Sequence, residues 1–112
     1  MALGHRFAGI FCNNEGLVDD LKQAGKQVSE EVWHMPVVEY HHDLMKHVFA
    51  DITSTNLKME AGSCQAAAFL EEFVEEGVKW CHMDIAGTTL VGNEGTGYGS
   101  KILLQYVRNY VK

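Results

Sequence analysis

Two apolar runs of strand length, lying far apart in the chain, constrain this fold more than any other feature of the sequence. Residues 7–12 form a short apolar run that ends at two turn-forming asparagines, and residues 78–86 form a second run. An apolar run bounded by turn-forming residues is typical of a buried strand. Two strands make a minimal sheet and keep unpaired edges unless other strands complete it. We therefore predict that the chain forms part of a larger sheet.

Helical spacing of apolar side chains fills much of the remaining sequence. It predicts a helix over residues 15–29, with Glu30 on its polar face, and a short helix over residues 40–48. Residues 32–36 end at the only proline and are predicted to form an extended link. Residues 51–56 are rich in side chains that bond their own backbone and are predicted to form a loop.

The second half of the chain continues the pattern. A helix is predicted over residues 61–74, with Gly77 as the glycine that closes it. A glycine-rich connection over residues 87–99 then leads into a last helix, whose apolar face is predicted to comprise Ile102, Leu103, Tyr106 and Val107. This alternation of strands and helices predicts an α/β fold in which helices pack on a partial sheet.

Length and charge exclude several classes of protein. A chain of 112 residues has room for one domain. Its formal charge of −6 would repel a phosphate backbone, so no nucleic-acid partner is expected. No window approaches the roughly 20 apolar residues of a membrane span, and the first residues do not resemble a secretory signal. We expect a cytoplasmic protein with no membrane partner.

The pattern of the cysteines predicts side chains that pack in the core and does not indicate a catalytic role. Cys12, Cys64 and Cys81 are odd in number and widely spaced, which is typical of reduced, packed thiols. Cys81 precedes His82, but consecutive strand residues face opposite sides of a sheet, so this pair does not make a nucleophile with its base.

Other candidate sites also fail on spacing. The six histidines include His41, His42 and His47, but no zinc-binding pattern organises them. The glycines of residues 92–101 do not have the spacing of a phosphate-binding loop, and the acidic Glu94 stands among them. The paired glutamates at residues 71–72 and 75–76 are predicted to form a solvated face of a helix. We find no complete catalytic set.

Six sequence blocks, taken together, resemble a known family. They are similar, in order, to the C-terminal end of the M17 leucyl aminopeptidase (cytosol aminopeptidase) catalytic domain, and they comprise residues 2–4, 7–14, 32–36, 61–62 with 66–74, 80–88, and 95–99. The resemblance covers essentially the whole chain. It implies that residues 1–112 are the C-terminal segment of a larger three-layer catalytic domain.

The resemblance implies a function for the complete enzyme. Members of this family are two-domain homohexamers that remove N-terminal residues, often leucine, from peptides by means of two divalent metal ions, zinc, manganese or magnesium. Such a metal pair polarises the scissile carbonyl and activates a bridging water. The partners implied are the peptide substrate, further copies of the enzyme, and the upstream part of the same domain.

The metal ligands that the family uses are expected outside this chain. Its motif Asn-Thr-Asp-Ala-Glu-Gly-Arg does not occur in the sequence. We therefore assign no catalytic and no metal-binding residue here, and we expect the chain alone to bind no metal and to be inactive. An alternative stays open: the chain is a shortened, non-catalytic paralogue that acts in oligomer formation or another interaction.

The resemblance also implies three substrate-binding residues. Ala86 and Thr89 match positions that line the pocket for the N-terminal side chain of the substrate, and Thr55 matches a position near the leaving residue. Ala86 and Thr89 follow a predicted strand, and loops at the carboxyl ends of strands are where open α/β sheets bind ligands. Relatives often have apolar residues at the positions of Thr89 and Thr55.

Overall fold

The structure, a computed structural model, describes residues 3–50 and 61–111, with the backbone alone for residues 47–50. Its elements are β1 (Ala8–Cys12), α1 (Glu15–Val28), β2 (Val32–His34), α2 (Glu39–Ala50), α3 (Gly62–Glu71), β3 (Cys81–Asp84), β4 (Leu90–Val91), β5 (Glu94–Gly95) and α4 (Ser100–Tyr110). This arrangement confirms the predicted α/β class. None of the helices in residues 3–50 and 61–111 has the length and the apolar composition of a membrane span.

Among the described residues, the main sheet has three strands in the order β2-β1-β3, with β1 in the centre. β2 runs parallel to β1 and places His34 beside Ile10, whereas β3 runs antiparallel and places Met83 opposite the same residue. Parallel neighbours need a crossover connection, which α1 supplies between β1 and β2. In the part of the chain that the structure describes, β2 and β3 are therefore the edges of this sheet.

Strand β2 corrects the prediction that residues 32–36 form only an extended link. Residues 32–34 are a third strand, and the Met35 amide extends the pairing by donating to the Ile10 carbonyl at 2.8 Å. A strand of three residues is too short to display an alternation of period two. Its formation depends on β1, a partner distant in sequence, which local patterning does not reveal.

Alternate side chains of β1 enter two separate cores. Ala8 and Ile10 are fully buried against α1 and α4. Phe11, on the opposite face, packs against Cys64 and Ala67 of α3. Because successive strand side chains point to opposite faces, helices cover β1 on both sides.

The first helix has nearly its predicted bounds. The Asn14 side chain caps its N-terminus by accepting a hydrogen bond from the Leu17 amide at 3.0 Å. Ser29, in the left-handed region with φ 59°, ends the helix. Local signals of this kind are readable in a sequence, because both residues directly flank the helix that they terminate.

Helix α3 is shorter than predicted, and Gly77 does not close it. The helix ends at Glu71, where the Phe73 amide donates to Leu70 and the Val74 amide donates to Glu71, three residues back in each case. Gly77 has a positive φ of 86° but lies in a separate turn. The tighter i to i−3 bonds of residues 73 and 74 end the α-helical pattern before the glycine is reached.

The predicted apolar face of α4 is only partly correct. Ile102 is fully buried and Tyr106 packs against the same core, but Leu103 and Val107 are 54% and 53% exposed. Neighbouring residues lie about 100° apart around a helix. Residues 102 and 106 therefore face the core that α4 shares with α1, and residues 103 and 107 form an adjoining, exposed apolar strip.

The glycine-rich connection contains a small hairpin that was not predicted. Leu90 pairs with Gly95 and Val91 with Glu94, leaving a two-residue turn at Gly92 and Asn93. Gly92 has a φ of 62°, a conformation that glycine adopts without strain. A Gly-Asn pair between short extended segments is a known hairpin signal, but strands of two residues give it no alternating context.

The molecule is less compact than a self-sufficient domain of its size. Its radius of gyration is 15.4 Å, against about 13 Å for a compact domain of this length. Its accessible surface is 7776 Å², against roughly 6,200 Å² for a monomer of this mass. Large apolar side chains such as Phe73 and Val91 are about three-quarters exposed. These values agree with the prediction that an incomplete sheet leaves apolar surface uncovered.

Candidate functional site

A cleft lies where the start of α3 meets the end of β3. Its volume is about 630 Å³. The lining residues come from the segment after β2, the first turn of α3, strand β3 and the residues that follow it, and they include Met35, Ser63, Cys64, His82, Asp84 and Ala86. A cleft of this size can hold a small ligand or the end of a peptide.

Asp84, the last residue of β3, organises one wall of the cleft. Its Oδ2 accepts a hydrogen bond from the Ser63 hydroxyl at 2.8 Å, and its Oδ1 accepts from the Ala86 amide at 3.1 Å. Burial raises the pKa of Asp84, but these hydrogen bonds, together with a smaller effect of the charge on His82, outweigh burial and leave the pKa below its usual value. Asp84 thus holds the backbone of Ala86 and the first turn of α3 in fixed positions.

The first turn of α3 forms the facing wall. Ala61, the residue before the helix, has φ 49° and supplies no side-chain cap, while its carbonyl accepts from the Gln65 amide at 2.9 Å. The positive end of the helix dipole therefore lies beside the cleft, close to the carboxylate of Asp84. Ser63 joins the two walls through its hydroxyl.

His82 contributes an aromatic surface to the cleft. Its ring packs against the ring of Phe11 on the central strand, with 5.7 Å between centroids. The Cys81 side chain lies on the opposite face of the sheet, in the core beside α1. This separation agrees with the prediction that Cys81 and His82 do not pair as nucleophile and base.

The predicted substrate-binding residues have different positions. Ala86 is exposed and lines the cleft. Thr89 is half-buried and does not belong to the cleft lining; its carbonyl accepts from the Thr96 amide at 2.8 Å. Thr55 and the predicted loop over residues 51–56 lie outside the described residues. The assignment of all three residues to a substrate pocket stays a prediction.

Of the three neighbouring histidines, His41 and His42 have different partners, and the side chain of His47 lies outside the described residues. The ring of His41 accepts a hydrogen bond from the Val38 amide at 3.1 Å, and His42 contacts Glu71 and Glu72 at 3.2 and 3.0 Å. Over residues 3–46 and 61–111, for which side chains are described, no group of three or more histidine, cysteine or acidic residues could hold a metal ion. The described residues therefore do not fit a metal centre.

Two side chains with structural roles, Ser63 and Glu30, were not predicted from the sequence. Ser63 carried no signal, because its partner Asp84 follows 21 positions later. Glu30, predicted to lie on a solvated face, is 4% exposed, and its carboxylate accepts from the amides of Gly99 and Ile102 at 3.2 and 2.9 Å. A signal for Glu30 did exist, since Gly99 before α4 has no side chain with which to cap that helix.

Comparison with known proteins identifies relatives over the whole fold. Residues 1–104 match the family model described as "Cytosol aminopeptidase family, catalytic domain". The chain is 42% identical over 97% of its length to the "Probable cytosol aminopeptidase" of Prochlorococcus marinus subsp. pastoris, and 37% identical over 98% to that of Rickettsia peacockii. It covers 23% and 24% of those proteins, so it spans about a quarter of the curated relatives that it matches.

The fold comparison agrees with the sequence comparison. The structure superposes on that of a mutant tomato leucine aminopeptidase with a TM-score of 0.82 and 30% sequence identity. The match covers 96% of this chain and 22% of the tomato protein. The arrangement of strands and helices around the cleft is therefore similar to one part of a larger structure.

Proposed function

Because this chain belongs to the cytosol aminopeptidase family, we propose that it forms the C-terminal segment of the catalytic domain of a metal-dependent leucyl aminopeptidase. The complete enzyme would remove N-terminal residues from peptides. In this proposal, residues 1–112 supply strands, helices and one wall of the substrate pocket. The fold similarity to leucine aminopeptidase supports the placement.

The observation that carries the proposal is the position of Ala86. It lies just past β3, lines the cleft, and is held by the hydrogen bond from its amide to Asp84. A small side chain at a rigidly held position leaves room for an apolar substrate side chain. The family resemblance assigns Thr89 and Thr55 to the same pocket, and the proposal includes them.

The chemistry of the complete enzyme would require groups from outside the described residues. Two divalent ions, zinc, manganese or magnesium, would polarise the peptide carbonyl and activate a water molecule. The described residues offer no ligand set for these ions. The role proposed for the described residues is therefore substrate contact and structure.

The proposal extends to partners and location. The exposed apolar surface supports packing against the upstream part of the domain and against further copies in a homo-oligomer, the hexamer implied by the family. The substrate partner would be a peptide with a free N-terminus. The relatives are named cytosol aminopeptidases, and we propose a cytoplasmic location on that basis.

A chimera tests the proposal. The corresponding segment of the Prochlorococcus marinus relative is replaced by residues 1–112, and hydrolysis of leucine-p-nitroanilide is measured with added manganese or zinc. We expect chelator-sensitive turnover by the chimera and none by the 112-residue chain alone. Turnover by the chain alone would contradict the proposal that the metal-binding groups lie elsewhere in the complete enzyme. A correctly assembled chimera without activity would instead favour a non-catalytic paralogue.

Substitution of Ala86 in the active chimera tests the pocket. Ala86→Leu fills the cleft beside β3, and we expect kcat/KM for the leucine substrate to fall about tenfold or more, with a smaller loss for an alanine substrate. Gln23→Leu is the matched control, because Gln23 is exposed on α1, which packs on the other face of the sheet. An equal loss of kcat/KM for both substrates, or for both variants, would contradict the placement of Ala86 in the substrate pocket.

A further inference from the structure

Two cysteines face each other across the central sheet. Cys12, the last residue of β1, is directly opposite Cys81, the first residue of β3, and their Sγ atoms are 2.7 Å apart. Both side chains are half-buried and pack against the core beside α1. The two thiols are therefore neighbours on one face of the sheet, although 69 positions separate them in the chain.

The register of the strands brings this pair close together. The carbonyl of Ile10 accepts from Met35 and so points toward β2, away from β3. The Asn13 amide, three positions on, donates to the Trp80 carbonyl at 3.1 Å. Because hydrogen-bonded and non-hydrogen-bonded pairs alternate in an antiparallel ladder, Cys12 and Cys81 form a non-hydrogen-bonded pair.

Such pairs have the geometry that a cross-link needs. Their Cα atoms are about 4.5 Å apart, within the separation of roughly 4.4–6.8 Å found for disulfides. The bond can form without moving either strand by more than a small amount. Cys64 has no such neighbour, since it is buried on the opposite face of the sheet against Phe11.

The thiols also differ in reactivity. The hydrogen bond that Cys12 donates raises the pKa of Cys12 and lowers the pKa of Cys81. Burial raises the pKa of Cys64. Since the thiolate is the reactive form, the lowered pKa of Cys81 favours this cysteine as the first of the pair to react.

We propose that Cys12 and Cys81 are an oxidation site that forms a reversible disulfide when the chain meets a hydroperoxide. The Cys81 thiolate attacks one peroxide oxygen, breaks the O–O bond and becomes a sulfenic acid, with release of hydroxide. The Cys12 sulfur then attacks the Cys81 sulfur, forms the S–S bond and expels the sulfenic oxygen as water. In sum, two thiols and one hydrogen peroxide give one disulfide and two waters, and a dithiol reductant reverses the change.

The cross-link would join the central strand to the strand that bears His82 and Asp84. It would fix the register of β1 and β3 and so restrain one wall of the cleft. Disulfides stabilise by restricting the unfolded chain, and this one closes a long loop. We therefore expect oxidation to raise the melting temperature of the chain by several degrees, and dithiothreitol to restore the original value.

Peptide mapping tests the proposal on the full 112-residue chain. Trypsin places the three cysteines in separate peptides, residues 7–22, 59–79 and 80–101. After brief treatment with stoichiometric hydrogen peroxide and alkylation, we expect a cross-link between the first and third peptides, with Cys64 alkylated. Treatment in guanidinium chloride should abolish this selectivity, because the register of the strands is lost.

Variants complete the test. Cys64→Ala should keep the cross-link, whereas Cys12→Ser should eliminate it and leave Cys81 to accumulate as a sulfenic acid that dimedone traps. Circular dichroism checks that each variant folds. Cross-links to Cys64 at similar yield, or unreacted Cys12 and Cys81 in the folded wild-type chain, would overturn the proposal.

Discussion

At the scale of single residues, Glu30 shows how one buried carboxylate can join two helices. It follows the end of α1, and its side chain accepts hydrogen bonds from two amides at the start of α4. The helix N-terminus carries unpaired N–H groups and a partial positive charge, so a carboxylate suits it. Glu30 therefore acts as a cap supplied by a distant part of the chain.

Removal of this cap should destabilise the fold. Glu30→Ala leaves the amides of Gly99 and Ile102 buried without acceptors, and we expect a loss of about 1–3 kcal/mol in the free energy of unfolding. Urea denaturation followed by circular dichroism measures it. Glu31→Ala, at an exposed neighbouring side chain, should change stability by less than about 0.5 kcal/mol. Equal effects of the two substitutions would contradict the capping role.

Asp84 should make the free energy of unfolding depend on pH in the acidic range. Its pKa in the folded chain lies below the ordinary value of 3.8. The resulting stabilisation is fully present above the unfolded pKa and is lost as pH falls through the folded pKa. We expect the urea midpoint of wild type to fall more steeply with acid than that of Asp84→Asn. As a control, Asp20→Asn, at an exposed site on α1, should show the same change of urea midpoint with pH as wild type. If Asp84→Asn also showed the wild-type change, the stabilising role of the Asp84 carboxylate would be refuted.

At the scale of elements, the approach of α1 to α4 depends on a glycine. A Cβ atom on Gly25 would lie 2.5 Å from the backbone oxygen of Glu30 and 3.2 Å from Cδ1 of Ile102. The first distance is shorter than any non-bonded contact allows. The Glu30 oxygen belongs to the backbone, so it cannot move aside as a flexible side chain could. Gly25 therefore permits the tight turn that brings Glu30 to the start of α4.

Gly25→Ala should be destabilising, although alanine is the better helix former by about 1 kcal/mol. The clash with Glu30 requires the backbone to shift, and overpacking of this kind typically costs about 1–3 kcal/mol. We expect a lower melting temperature in differential scanning calorimetry. Gln23→Ala, on the exposed side of the same helix, should be near neutral. A gain in stability for Gly25→Ala would show that the turn accommodates a side chain.

At the scale of the whole molecule, uncovered apolar surface is the dominant feature. Leu103 and Val107 lie one helical turn apart on α4, and both are more than half exposed. Patches of this kind on a small protein mark surfaces that pack against something else. The open sheet edges at β2 and β3, in the described part of the chain, indicate the same.

The isolated chain should therefore self-associate. Sedimentation velocity at increasing concentration is expected to show a growing fraction of oligomers, and Leu103→Glu with Val107→Glu should lower it severalfold by replacing apolar contact with like charge. A matched control, Gln23→Glu with Lys46→Gln, makes the same change in net charge at exposed polar positions. If the control dissociates the oligomers equally, net charge and not the α4 surface governs association.

The sequence by itself determined the elements whose signals are local. The apolar run that became β1, the asparagines that end this run and the periodicity of α1 are all contained within or beside the elements concerned. The six family-like blocks also lie in the sequence, and the cytosol aminopeptidase family followed from them. Such features are predictable because hydrogen bonds and apolar spacing repeat over a few residues.

Only the tertiary structure decided the features that join distant segments. Strand β2 exists because β1 lies beside it, Glu30 is buried because α4 starts against it, and Cys12 meets Cys81 through the register of two strands. The cleft likewise forms where Ser63 meets Asp84. In each case the partner lies far away in the chain, and a local pattern carries no information about which distant residue will provide the contact.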